Sequence, residues 1–161
     1  RLKEKMPNNL GLYKIPLGEI EFLQEGNDIT AVSYGSTLRI LSEAAITLKQ
    51  YNISIEVIDI QTLIPFDLEE NIVLSIAKTN RLIIVDEDVP GGASAYILQQ
   101  LLEKQKVFKY LDSPPKLLSA KAHRPAYGSD GDYFSKPSHE DIFEAAYTIM
   151  HESDPQMYPA L

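Results

Sequence analysis

The stretch Arg81-Leu82-Ile83-Ile84-Val85-Asp86-Glu87-Asp88-Val89-Pro90-Gly91-Gly92 passes from an apolar run through three carboxylates to a glycine pair. An uninterrupted run such as Leu82 to Val85 predicts a strand covered on both faces, the pattern of a parallel sheet with helices above and below it. Pro90-Gly91-Gly92 then predicts a tight turn into a helix carrying Ile97, Leu98, Leu101 and Leu102. Upstream, Ile53 to Ile60 is rich in β-branched residues and predicts another strand. Pro65 stops the chain, and Asp67 with Glu70 predicts a capping-box start for a helix with Ile72, Val73, Ile76 and Ala77 on one face.

Further out the alternation continues. Glu19 to Phe22 and Ile29 to Tyr34 read as strands closed by the turn sequence Glu25-Gly26-Asn27-Asp28, and so short a connection predicts antiparallel neighbours. Gly35-Ser36 opens a helix with Leu38, Leu41, Ala45 and Leu48 on its apolar stripe. After Ser113-Pro114-Pro115 comes a fifth strand, Lys116 to Ala120, followed by a long irregular segment from Lys121 to Pro137. Ser138 and Asp141 cap a last helix bearing Ile142, Phe143, Ala146, Ile149 and Met150. Strands joined by single helices require right-handed crossovers. The expected fold is α/β, a three-layer α/β/α sandwich around a five-stranded, mostly parallel mixed sheet with one antiparallel strand. Pattern alone leaves the strand order open.

The chain has 161 residues, 44% of them hydrophobic, with no Cys and no Trp. That length fits one domain. Residues 1–17, rich in Pro, Asn and Gly at first and without a 2- or 3.6-residue period, read as an interdomain linker or arm, and 18–161 as the domain. A start on Arg1 fits a trimmed or excised piece. Without Cys there is no disulfide framework, thiol nucleophile or Cys-ligated metal, so a cytoplasmic location is expected. No apolar run approaches the ~20 residues that span a bilayer, so neither a membrane span nor a signal peptide is expected. The formal charge of −8 divides into +3 over residues 1–14 and −11 over the remainder. An acidic body without a basic stripe repels a phosphate backbone, so nucleic acid is not expected as a partner.

Ligands of open α/β sheets collect beyond the carboxyl ends of the strands. Gly35-Ser36-Thr37 and Pro90-Gly91-Gly92 each precede a helix N-terminus, where free amides hold anions. Neither matches a phosphate-binding fingerprint, Gly91 sits behind three carboxylates that would repel phosphate, and a tight strand-to-helix turn is the favoured reading of both. Asp59, Asp86, Glu87, Asp88 and Lys121 resemble the acid cluster and lysine of a receiver domain. That chemistry needs an acid pair after the first parallel strand, where Tyr34-Gly35-Ser36 offers none, and loop capping is the simpler role for Asp59. His123, His139 and His151 lack a metal-binding spacing, and His151 suits a helix C-terminus. No serine lies in G-x-S-x-G. The segment from Ala122 to Pro137 is long for a connection, and Arg124, Pro125, Tyr127, Tyr133 and Phe134 give it interface chemistry; the alternative is a loop folded back on its own domain.

Tyr13-x-Ile15-Pro16-Leu17-Gly18-x-x-Glu21 with Gln24-Glu25-Gly26-x-Asp28-Ile29-Thr30 resembles the opening of the C-terminal domain in beta subunits of thiamine-diphosphate-dependent 2-oxo acid dehydrogenases. Glu56-Val57-Ile58-Asp59-Ile60-Gln61-Thr62-Leu63-Ile64-Pro65-Phe66-Asp67, Lys78-Thr79-x-Arg81-Leu82, and Asp86-Glu87 with Gly91-Gly92 continue the likeness in order. The sequence departs from the pattern at Gln61, where the family usually has Arg, and at Arg124-Pro125-Ala126-Tyr127, in place of a Pro-x-Pro-type loop. The resemblance implies a transketolase C-terminal-like domain of a branched-chain 2-oxoisovalerate or pyruvate dehydrogenase. It implies thiamine diphosphate and Mg in the full enzyme, with none bound by this domain. It also implies an alpha subunit or fused alpha part, a second beta copy and a lipoyl acyltransferase core as partners. Asp59, Asp86, Glu87, Gly91, Gly92, Arg124, Pro125, Tyr127, Tyr133 and Phe134 are then interface or docking candidates, with no catalytic residue here. Two other classes share the pattern: a stand-alone flavodoxin-like or receiver-like ligand domain using Gly35, Ser36, Asp59 and Asp86, and the equivalent domain of a transketolase or deoxyxylulose phosphate synthase.

Overall fold

The computed structural model describes residue 8 and residues 10–125, 127–128 and 130–161. Residues 1–7 and 9 of the expected arm, with Ala126 and Ser129 of the long loop, lie outside the described residues. The elements run β1 (Glu21–Gln24), β2 (Ile29–Ser33), α1 (Thr37–Leu48), β3 (Ile55–Asp59), α2 (Asn71–Thr79), β4 (Leu82–Val85), α3 (Ala93–Gln99), β5 (Lys116–Leu118), α4 (Gly131–Ser135) and α5 (His139–Ser153). A π-type turn, Gln100–Lys104, prolongs α3.

The sheet order is β1-β3-β2-β4-β5, with β2, β3, β4 and β5 parallel and β1 antiparallel. The expected three-layer fold is present, but the expected opening hairpin is not. β1 and β2 do run in opposite directions, yet β3 lies between them, and β1 pairs with β3 through Glu21 to Asp59 and Phe22 to Ile58. The connection crosses the amino-terminal end of β3, where Gly26 passes so close that a Cβ there would stand 2.2 Å from the Ile55 carbonyl carbon. Only glycine fits that crossing.

Each parallel strand alternates between two cores. Ile29, Ala31, Ile55, Val57, Ile83 and Val85 point to the side packed by α1 and α5, where Leu41, Leu48, Ile142 and Ala146 meet them. Val32, Ile58, Leu82 and Ile84 point to the other side, against Ile72 and Ile76 of α2 and Ile97 of α3. All of these side chains are fully buried, which explains the absence of polar alternation in β4. The second core carries a polar seam: Thr30 Oγ1 lies 2.6 Å from Ser75 Oγ and 2.7 Å from Thr79 Oγ1, and Lys78 pairs with the buried Glu56 beside them.

Local departures from the sequence expectation have local causes. Asp67 does start α2, though without a capping box: its Oδ1 accepts from the Asn71 amide at 3.0 Å and its Oδ2 from the Ile72 amide at 2.9 Å. Glu70 adopts φ 55° at the N-cap and makes no side-chain cap. Ala77 is exposed, and Ser75 and Thr79 take the buried face instead. β5 ends at Leu118 rather than Ala120, because its last residue pairs with Val85, where β4 stops. The supposedly irregular segment contains α4, one short helix, and α5 has the expected capping box between Ser138 and Asp141.

Replacing Gly26 with Ala should destabilise the chain by about 3 kcal/mol, at the upper end of overpacking costs, because the new Cβ meets backbone rather than a movable side chain. Urea unfolding followed by circular dichroism checks this; a cost below about 0.5 kcal/mol would mean that the crossing loop is free to move away.

Candidate functional site at the carboxyl edge of the sheet

Among the parallel strands, β3 and β4 flank β2, and the connections leaving β2 (to β3) and β4 (to β5) run in opposite directions along the sheet. The point between the ends of β2 and β4 is therefore the topological switch point, where open α/β sheets hold ligands. Tyr34-Gly35-Ser36 and Asp86-Glu87-Asp88 meet there. Gly35 turns the chain with φ 62°, a left-handed conformation costly for most other residues.

Asp86 is fully buried, and both of its oxygens are occupied. The Tyr34 hydroxyl donates to Oδ1 at 2.7 Å, as does the Asp88 amide at 3.0 Å, while the Ser94 amide donates to Oδ2 at 2.8 Å. Asp86 thus joins the end of β4 to the loop after β2 and to the first turn of α3. Burial, then the hydrogen bond onto Asp86, pushes the Tyr34 phenol well above its ordinary pKa; a phenolate beside this carboxylate would be doubly unfavourable.

Glu87 faces the other way. Its Oε2 accepts from Ser36 Oγ at 2.8 Å and from Lys136 Nζ at 3.1 Å, and these two donors lower its pKa below the usual carboxylate range. The same bond to Glu87 raises the Lys136 pKa, and Asp132 Oδ1 lies 3.9 Å from the ammonium. The segment around α4 is thereby fastened over the switch point. Lys136 had no motif to announce it, lying 49 residues from Glu87 in sequence.

The other sequence candidates divide by location. Asp59 stands two strands from Asp86 and accepts from the Gln61 amide at 2.9 Å, the expected loop cap. Gly91 has φ 93°, and a Cβ on Gly92 would strike the Asp88 carboxylate; both glycines serve the turn into α3. Arg124 stacks over the Tyr127 ring at 4.7 Å. Lys121 lies 3.8 Å above the Phe134 ring, whose other neighbour is His123 at 5.8 Å between ring centroids. The Tyr133 hydroxyl donates to Glu140 Oε2 at 3.0 Å, a bond that raises the tyrosine pKa. Tyr127, Tyr133 and Phe134 remain 86%, 65% and 62% exposed, and Arg124 and Pro125 are exposed beside them. His139 and His151 are apart, bonded to Thr47 Oγ1 and to the Tyr158 carbonyl respectively. Among the described residues no group of three or more His, Cys, Asp or Glu side chains is arranged to hold a metal.

The edge therefore combines a fully bonded Asp86 and a paired Glu87 with a rim of exposed aromatics and cations. Comparison with known proteins identifies the scaffold: the family described as "Transketolase, C-terminal domain" matches residues 18–135. The chain belongs to that family. This transketolase C-terminal domain is 33% identical over 140 residues to the pyruvate dehydrogenase E1 component subunit beta of Rickettsia conorii, which covers 86% of this chain and 42% of that one. It is 42% identical over 103 residues to 2-oxoisovalerate dehydrogenase subunit beta 2, mitochondrial, of Arabidopsis thaliana, covering 63% and 28%. It is also 39% identical over 124 residues to the beta subunit of acetoin:2,6-dichlorophenolindophenol oxidoreductase of Bacillus subtilis, covering 77% and 35%. The chain thus spans about two fifths of the length of the first of these relatives, and less of the others. A split-gene transketolase solved as an inactive beta4 tetramer shares the fold, with a TM-score of 0.64 at 19% identity over 84% of this chain and 43% of that one.

Because Glu87 has a depressed pKa in the folded state, its bonds stabilise the fold above the unfolded carboxylate pKa and lose that contribution as pH falls through the folded value. Both partners of the ion pair are more than one third exposed, which limits the interaction to roughly 1 kcal/mol or less. Lys136→Met should therefore cost under about 1 kcal/mol at pH 7, and the difference from the unchanged chain should shrink as pH falls below the ordinary glutamate range and through the depressed pKa of Glu87. Denaturant midpoints at neutral and acid pH test this; a difference that persists in acid would assign the effect to packing of the lysine stem.

Proposed function

We propose that this chain is the C-terminal assembly and docking domain of the beta subunit, or fused beta part, of a thiamine-diphosphate-dependent 2-oxo acid dehydrogenase. The whole enzyme would decarboxylate a branched-chain 2-oxo acid or pyruvate and pass the acyl group to a lipoyl carrier. The observation that carries this reading is the family match together with relatives that are beta subunits of pyruvate and 2-oxoisovalerate dehydrogenases. Residues 1–17 act as the linker and 18–161 as the domain. A cytoplasmic location is part of the same proposal, supported by the absence of Cys and compatible with no helix among the described residues being long and apolar enough to cross a membrane.

Thiamine diphosphate would supply the carbanion-stabilising chemistry when bound to the full enzyme, and Mg would hold its diphosphate. The residues at this edge do not fit that group. Both oxygens of Asp86 are committed to protein donors, Glu87 is committed to Ser36 and Lys136, and the turn into α3 sits behind three carboxylates that would repel a diphosphate. No step of the reaction is assigned to this domain. Its contribution is surface: Arg124, Pro125, Tyr127, Tyr133 and Phe134 present large rigid side chains, the residue types that carry interface energy, on a segment held by the Lys136 to Glu87 bond. The partners are the alpha subunit or part, the second beta copy and the lipoyl acyltransferase core.

Two experiments separate this from a stand-alone ligand domain. Calorimetry of the 161-residue chain with thiamine diphosphate and Mg should show no specific heat, and stoichiometric binding would overturn the reading. In the assembled enzyme, Tyr127→Ala or Tyr133→Ala should weaken subunit association by about tenfold or more, the scale of losing one hot-spot side chain. Sedimentation measures that loss, and unchanged assembly with both variants would remove the loop from the interface.

A further inference from the structure

β1 closes one edge of the sheet, opposite to β5, and no element pairs with its outer side among the described residues. Strands β2, β3 and β4 are buried almost throughout, whereas Glu21, Phe22 and Leu23 of β1 are exposed and Gln24 is half-buried. Phe22 and Leu23 are 46% and 45% exposed, so an apolar pair stands at a free backbone edge, the arrangement that invites a further strand. Beside it, between β1 and α2, runs a groove of about 390 Å³ with Phe22 and Leu74 as apolar walls. Glu25 and the ion pair of Lys78 with Glu56 give the groove its charged lining. The other edge of the sheet differs: β5 has only three residues, and its Leu117 and Leu118 pack against the two cores.

The free charge along this edge is of one sign. Glu19, Glu21 and Glu25 are exposed on or next to β1, and Glu21 stands directly across from Asp59 of β3, a like-charge pairing that is unfavourable in a sheet. Lys78 in the groove is already bound to Glu56. We propose that the outer edge of β1 takes up an extended, lysine- or arginine-bearing segment of a partner protein as a sixth strand, with an apolar side chain of that segment seated between Phe22 and Leu74. Backbone bonds hold such a segment, while its alternate side chains meet the acids and the groove. A second copy of this chain does not suit the edge. In regular antiparallel self-pairing, centring on Phe22 sets Glu19 opposite a second copy's Glu25, centring on Leu23 sets Glu21 opposite it, and centring on Glu21 opposes that residue to itself. The register shift between Phe22 and Gln24 keeps the added strand short, so side-chain contacts carry much of its affinity. This edge lies across the sheet from the aromatic segment, and the assignment is independent of the dehydrogenase reading.

Titration of the ¹⁵N-labelled chain with a short blocked peptide of alternating valine and lysine tests the edge. Saturable shifts centred on the amides of residues 19–25, with slowed hydrogen exchange within Glu21–Gln24, are expected. Two control peptides, one with glutamate in place of lysine and one with proline in place of valine, should bind about tenfold more weakly or worse, because the first reverses the charge and the second cannot pair along an edge. The double variant Glu21→Lys, Glu25→Lys alters only exposed positions, where folding is not at risk. It should lose affinity for the lysine peptide by about tenfold or more and take up the glutamate peptide instead. Shifts that fail to saturate, that fall on other residues, or that the proline peptide reproduces at full affinity would overturn the proposal. A charge-reversed chain that keeps its preference for lysine would do the same, as would concentration-dependent shifts of these amides without peptide, the mark of self-pairing.

Discussion

The fully enclosed carboxylate of Asp86 is the interaction on which the working end of this domain depends. A buried carboxyl group is tolerated only when its acceptor capacity is used, and here a tyrosine hydroxyl and two backbone amides use it. Those donors come from the loop after β2, from the acidic turn itself and from the first turn of α3. One side chain thereby ties together three segments, only one of which, the acidic turn, is also held by backbone bonds to the end of β5. Glu87, next in sequence but turned outward, extends the arrangement to the segment around α4 through Lys136. Two adjacent acids thus do different work: the first organises the interior and the second tethers the surface.

This division explains why, among the described residues, an acid-rich edge at a topological switch point brings together no group of His, Cys, Asp or Glu side chains arranged to hold a metal. Carboxylates that hold a metal keep oxygens turned outward to the ion, whereas these spend theirs on the protein. The surface around them is correspondingly left to aromatic and cationic side chains, with Arg124 over Tyr127 and Lys121 over Phe134. The assembly role proposed above would draw on this character, with structural chemistry inside and the long loop displayed for contact.

Much of the fold was legible in the sequence because burial on both faces leaves a direct mark. Leu82 to Val85 reads as a covered parallel strand and is one, and Ser138 with Asp141 reads as a cap and is one. What escaped depended on relations between distant residues. The Glu25 to Asp28 turn looks like a hairpin because turn chemistry reports the bend and not what passes beneath it; β3, which separates the two strands, lies about thirty residues later. Asp67 was correctly placed at the start of α2, but the left-handed backbone at Asp67 and Glu70 prevented the reciprocal cap that the spacing implied. At the site, Asp59 as a loop cap and the outward aromatics followed from residue type. Lys136 as the partner of Glu87 did not, because no local pattern encodes a contact made through the fold.

The crossing at Gly26 also bears on the order in which the molecule is assembled. Of the strands of this sheet β1 is the first to leave the ribosome, yet the strand it pairs with, β3, begins at Ile55, beyond β2 and α1. Until Ile55 to Asp59 has emerged and paired with β2, the amino-terminal strand has no edge to join. The first strand of this sheet to be made is therefore among the last to dock, closing over a parallel core that is already taking shape behind it.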